Sequence, residues 1–489
     1  MQQQREDGYG GRTWLAAGLL AVALATPAGA AHISASWSGT GAWSDPTRWS
    51  SNPRVPDNGG GDTFDVTLNG GTATLDLDVQ IQALSQGGGT ITGGFDLDLD
   101  DVFTWTGGTQ SGTGTTTASA GIDLRGNSSK TTDGRNVNLA GSSTHRGGSW
   151  FLRGGAAVTQ SGSYVADSGL PGGSGSTLSI SPSTGGGSFT NLGTFTQQGS
   201  QRTNLSVVFD NAGGSVLVQD GELSLAGGGA STGGTWSVTG GSLLLNSALT
   251  FDATSNVSGG GEVVFDSGTA TVSGGYAVGA TRTQGGTGVL QAGGTTGSLD
   301  LNDGILEVAG GTLTATGDLT WLADDLTGAG TTVVQGDAEL RGNVSKELDA
   351  HQLRLEGTTT HRASTLLLRD GATLTQVGSW VSDSDSGAGG SGSTLSITGT
   401  GSGPNRFLNQ GTFTQQGTQR TSVSAQFENT GSVVVQAGIL AVNTGLTQTV
   451  GQTLLAGGEL ESGTGVDIQG GSLGGEGLVD ADILMDGVL

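Results

Sequence analysis

The sequence predicts an all-β protein whose short strands stack as coils of a parallel β-solenoid. Three observations carry that expectation. Short phrases return at a fixed step of 20 residues: Phe189-Thr-Asn191-Leu-Gly193 is answered by Phe209-Asp-Asn211-Ala-Gly213. Glycine supplies 96 of the 489 residues, yet there are only 7 prolines and no Gly-X-Y period, which excludes collagen. Beyond the first thirty residues no sustained 3.6-residue apolar pattern appears, so paired helices do not explain the step.

The elements follow in chain order. Arg5 and Arg12 precede the apolar run Trp14–Thr26 and then Ala28-Gly29-Ala30, which reads as a signal peptide over residues 1–30. The run is too short to span a bilayer stably, and no later stretch approaches a transmembrane length. Residues 31–74 concentrate Trp37, Trp43, Trp49 and three prolines before the regular repeats begin. An open solenoid end needs covering, so this segment is expected to hold an N-terminal cap and the first strands. The alternative is a tryptophan-rich sugar-binding patch.

Residues 75–317 and 318–489 form two long repeats. LRGN at Leu124–Asn127 returns at Leu340–Asn343, and the same offset of 216 relates Trp105 to Trp321 and Lys130 to Lys346. The offset grows to 218 at NLGTFTQQGSQRT, Asn191–Thr203, which returns as NQGTFTQQGTQRT, Asn409–Thr421. The second copy stops short, which predicts an incomplete repeat or a fragment. Inside each copy runs the step of 20, as in GELSL at Gly221, GSLLL at Gly241 and GEVVF at Gly261. LDLDV at Leu75 and FDLDL at Phe95 extend it toward the N-terminus.

Stacking explains these residue types. Leu223 and Leu225 should lie inward over Leu243 and Leu245, and Asn191 and Asn211 should form an amide ladder. Phe195 is expected to face in, Thr194 and Thr196 out. At about 4.8 Å per coil the rod is on the order of 100 Å long, with the thirteen-residue phrases roughly 50 Å apart. Two loops, Ala166–Ser176 and Ser382–Ser393, have linker composition and are expected to project as mobile segments.

Net charge is −25 with only two lysines, which disfavours nucleic acid and anionic lipid as partners. Cysteine is absent, removing disulfides, thiolate metal sites and a cysteine nucleophile.

Chemistry has few candidates. Lys130, His145 and Arg146 have twins at Lys346, His361 and Arg362, but no acid can be placed beside either set from sequence. His145 is expected to be an exposed strand residue. Asp324, Asp325, Asp383 and Asp385 read as solvated loop charges. Asp76 and Asp78 are expected to stack beneath Asp96 and Asp98, where calcium would relieve their repulsion; an acidic face screened by salt is the favoured reading. Gln197, Gln198 and Arg202, with Gln415, Gln416 and Arg420, are candidate contact patches.

These features carry a resemblance. W-S-x-x-x-x-W-S-x-x-x-x-W, the stretch VPDNGGGDTFDVTLNGGTATLDLDVQIQAL and the F-x-N-x-G-[TS]-[FV] coils resemble bacterial exported β-helix surface proteins. That group includes autotransporter passengers and proteins with PEP-CTERM sorting tails. The resemblance implies a right-handed parallel β-helix outside the cell or on the outer surface of a Gram-negative-type bacterium. The chain closes at MDGVL without the usual anchor. The expected function is therefore a non-enzymatic structural or adhesin-like rod, without a cofactor, whose partners are glycans or matrix components. The alternatives are a carbohydrate-binding or polysaccharide-degrading β-helix, and a passenger separated from its barrel.

Overall fold

The computed structural model describes residues 30–58, 61–362, 364–383, 385 and 394–486. The predicted signal peptide and most of the second loop lie outside them. The chain winds as a β-solenoid of about 21 turns with about 20 residues in each. Its strands pair in parallel, most of them with the strand three places on, so a regular coil has three faces. On the first face Phe103–Trp105, Ile122–Leu124 and Ser142–His145 are neighbours. Gly108–Ser111, Lys130–Asp133 and Ser149–Arg153 form the second. Thr115–Ala118, Asn136–Leu139 and Ala156–Gln160 form the third.

Alternation and glycine together produce this shape. Leu223, Leu243 and Val263 stack in register, as do Leu225, Leu245 and Phe265, and all six are buried. Each such side chain contributes about 1.5–3 kcal/mol of apolar burial. Corners between faces need residues that accept a positive φ beside a neighbouring coil. At Gly241 φ is +68°, and a Cβ would lie 2.1 Å from the Gly221 carbonyl oxygen. No larger residue fits that corner without moving the coil below.

At the N-terminal end, strands and the tryptophan-rich segment alternate. His32–Ser36 and Thr40–Ala42 already pair with Thr63–Leu68 and Thr72–Leu75, so residues 31–74 hold the first coil and most of the second. The covering piece is the intervening segment. Trp37 and Trp43 each meet Trp49 edge-on, with centroids 4.8 and 4.6 Å apart. The indole of Trp43 donates to the Pro56 carbonyl and that of Trp49 to the Trp43 carbonyl. All three rings are buried. They close the core and offer no platform to a sugar, which corrects the alternative of a tryptophan patch.

The step is not uniform. Val79 pairs with Leu97, a step of 18, so LDLDV and FDLDL are offset from the alignment that the 20-residue period predicts. The loop after Ala166 lengthens its coil to 31 residues, since Ala166 pairs with Gln197. That loop also does not project freely. Its Ser174 N–H donates to the Arg146 carbonyl, and the Arg146 guanidinium donates to the Pro171 carbonyl.

The long duplication and the coil are out of phase. Leu124 lies in a first-face column with His145, Ala166, Gln197 and Val218. Leu340, its twin, lies instead above Trp321 and Leu301. Followed back coil by coil, that column reaches Leu205, Ile180, Trp150 and Lys130 on the second face. One copy thus advances ten coils and one further face. Twin positions are roughly 50 Å apart along the rod and turned by about a third of a revolution.

Candidate functional site

The expected acidic ladder is not assembled. Asp76 accepts from the backbone and hydroxyl of Ser44, one coil below. Asp78 accepts the Asp96 N–H at 2.9 Å, and Asp96 accepts the Thr115 N–H at 2.7 Å. Asp98 stands above Gln80 rather than Asp78, because the local step is 18. Among the described residues, no group of three or more acids and histidines has the arrangement of a metal site. Each of these carboxylates instead ties one coil to the next, or lies on the outer face.

The candidate contact residues divide. Gln197 and Gln415 are buried, and each amide donates to two turn carbonyls: Gly199 and Gln201, or Gly417 and Gln419. They fasten a corner from inside and cannot touch a partner, which corrects that expectation. Gln198 and Gln416 are exposed. Arg202 pairs with Glu222 at 2.8 Å, and Arg420 pairs with Glu461. Phe195 faces in as expected, whereas Thr196 points outward but is nearly covered between Val165 and Leu217.

Three other expectations change, for His145, Asp324 and Asp383. His145 is fully buried, between the Gly148 carbonyl and the Tyr164 hydroxyl, and burial holds its pKa down at about 4. Lys130 and Lys346 are buried too, and loss of solvent lowers both to about 8. Asp324 is no loop charge. It lies in a strand at φ +136°, where the first copy has Gly108; it is bonded to Thr283, and burial raises its pKa to about 7. Asp383 is buried and accepts the Asp385 N–H, while Asp385 accepts from the Thr418 backbone and hydroxyl.

An acid does stand beside each twin arginine. Asp123 lies in register below Thr144, with Arg125 and Arg146 both 3.1 Å from its carboxylate. In the second copy Glu339 lies below Thr360, 3.5 Å from Arg341 and 3.4 Å from Arg362. A groove of about 230 Å³ runs over Glu339, Thr320, Thr360 and Arg362, with Asp318 and Asp337 at its far edge. Elsewhere Arg354–Glu356 and Arg406–Glu428 are one-to-one pairs.

The outward row through this cluster reads Thr104, Asp123, Thr144, Val165, Thr196 up five coils. Its twin reads Thr320, Glu339, Thr360, Val381, Thr414. Four of five positions are identical and the fifth keeps its charge. The central outward rows of the other two faces have drifted, although the second face keeps the Asp133–Arg153 pair as Asp349–Arg369. Thr109, Thr131, Phe151 and Ser181 became Asp325, Glu347, Leu367 and Thr398. Thr117, Asn138, Thr159 and Thr190 became Val333, Arg354, Thr375 and Leu408.

No family model, curated protein or solved structure matches this chain. The buried interior has drifted as well: Arg135, which donates to Thr116, is replaced by His351 bonded to Thr332, and Tyr164 is replaced by Trp380. Sequence reading missed the kept face because it compared phrases along the chain. Reading alternate residues across successive coils would have found it.

Proposed function

We propose that the protein is an exported, non-catalytic β-solenoid that acts by display at a bacterial surface or in extracellular matrix. The observation that carries this reading is where the ionisable groups lie. Asp96, Asp210, Asp318 and Asp337 each accept a backbone N–H from the coil above, so their charge serves the stack. Groups whose titration burial shifts strongly, among them His145, Lys130, Lys346 and Asp324, lie inside the rod rather than in an open cleft. A rigid rod with outward Thr, Ser and Arg side chains suits repeated weak contacts multiplied along its length.

The test uses the full exported chain on polysaccharide-coated and cell-derived surfaces, with the same polymers assayed for depolymerisation. Retention without turnover is expected. Turnover abolished by replacing Asp123 or Glu339 would establish the polysaccharide-degrading reading instead.

A further inference from the structure

The three faces of the rod have the same structural needs: β-forming residues, solubility and close coil spacing. Those needs alone would let all three drift alike after duplication. One face kept four of five central outward residues and both arginines, while the central rows of the neighbouring faces changed seven of eight positions and only the flanking Asp133–Arg153 pair of the second face returned, as Asp349–Arg369. Selection for packing does not explain the difference, since the interior beneath the kept face exchanged Tyr164 for Trp380. We infer that the kept face is a glycan-binding face present twice, centred on Asp123 with Arg125 and Arg146, and on Glu339 with Arg341 and Arg362.

The chemistry of the row selects the ligand class. Asp123 is buried and holds Thr144, Arg125 and Arg146 in place, whereas Glu339 is partly exposed and can accept from a sugar hydroxyl; in both clusters the guanidinium N–H groups left over donate to sugar oxygens. Threonine hydroxyls above and below add donors and acceptors at one coil spacing, and Val165 or Val381 supplies an apolar contact. Arg125 and Arg341 are each 42% exposed, so both reach solvent. A net charge of −25 turns nucleic acid away from the same surface. Because the copies are turned by about a third of a revolution, one rod engages two separate chains and cross-links them.

This inference rests on the display reading, and the experiment separates the two. The full exported chain is applied to an array of neutral and uronate-containing polysaccharides, and the retained polymers are then titrated in solution. Two variants remove one cluster each, Arg125→Ala/Arg146→Ala and Arg341→Ala/Arg362→Ala. A control, Arg354→Ala/Arg406→Ala, alters a drifted face. Circular dichroism and melting temperature check that each variant folds.

Wild type should bind at two sites per chain and precipitate the polymer. Each cluster variant should bind at one site, lose precipitation and fall about tenfold or more in apparent affinity on coated surfaces. The control should match wild type. The inference is overturned if no polysaccharide is retained, if cluster variants bind like wild type, or if the control loses as much. Adhesion to cells that survives loss of both clusters would overturn this inference and leave the display reading standing; loss of all adhesion by folded wild type would overturn both.

Discussion

Asn191 donates its side-chain amide to Asn211 in the next coil at 2.8 Å, with both side chains fully buried. The second copy repeats the bond between Asn409 and Asn429 at the same distance and continues it to Gln448. A polar column inside an apolar rod fixes the register, since a slip of two residues, which keeps the inward parity, would set the Asn191 amide against Phe209.

Asn191→Ala should therefore destabilise by about 1–3 kcal/mol, because the Asn211 oxygen loses its donor without reaching water. Replacing both residues with valine should cost less than the single change, as no orphan remains. Urea unfolding midpoints of the three proteins check this. A double variant as damaged as the sum of its singles would contradict it.

Trp43→Ala removes the ring that closes the N-terminal end and should cost about 3–5 kcal/mol. In a stack of coupled coils the loss should be local at first. Hydrogen exchange should quicken in residues 32–75 while the strand Ser242–Leu245 stays protected.

Asp324 makes stability depend on pH. Its folded pKa is raised from 3.8 to about 7, so the folded chain holds a proton that the unfolded chain releases between those values. Stability from this group is full below the lower value and is lost as pH rises through the upper one. Asp324→Asn should be more stable than wild type at pH 8, gain less at pH 5 and gain almost nothing below pH 4. Equal gains at pH 8 and pH 5 would refute the assignment.

Two of the three buried histidines act in the opposite direction. His145 and His351 are held at about 4, against an ordinary value of 6.5, by burial. The unfolded chain takes up protons first, so stability falls as pH drops from 6.5 toward 4, by up to about 1.4 kcal/mol per unit for each imidazole. His351→Gln should flatten melting temperature against pH in that range. An unchanged slope would place this imidazole in solvent.

Much of the fold was legible because coil periodicity is written in repeated side chains. Phe189 over Phe209 and Leu223 over Leu243 stack as their 20-residue spacing requires. Where a turn lost two residues, as between Val79 and Leu97, the same rule misplaced Asp76 and Asp98. His145 was misjudged for another reason. Its Thr and Arg neighbours suggest an exposed strand, yet it shares the inward parity of Leu124, on which it stacks. The site stayed hidden because Asp123 and Arg146 are 23 residues apart in sequence and meet only across a coil boundary.

The out-of-phase duplication shows what the building block is. A whole coil was not required for the chain to lengthen; a strand with its turn sufficed. Counting those blocks between two positions and keeping the remainder after division by three gives the compass direction one faces relative to the other. Removing a single block between Thr196 and Thr320 would bring both kept rows onto one side of the rod. That deletion would turn a cross-linker into a two-point clamp, with no contact residue altered.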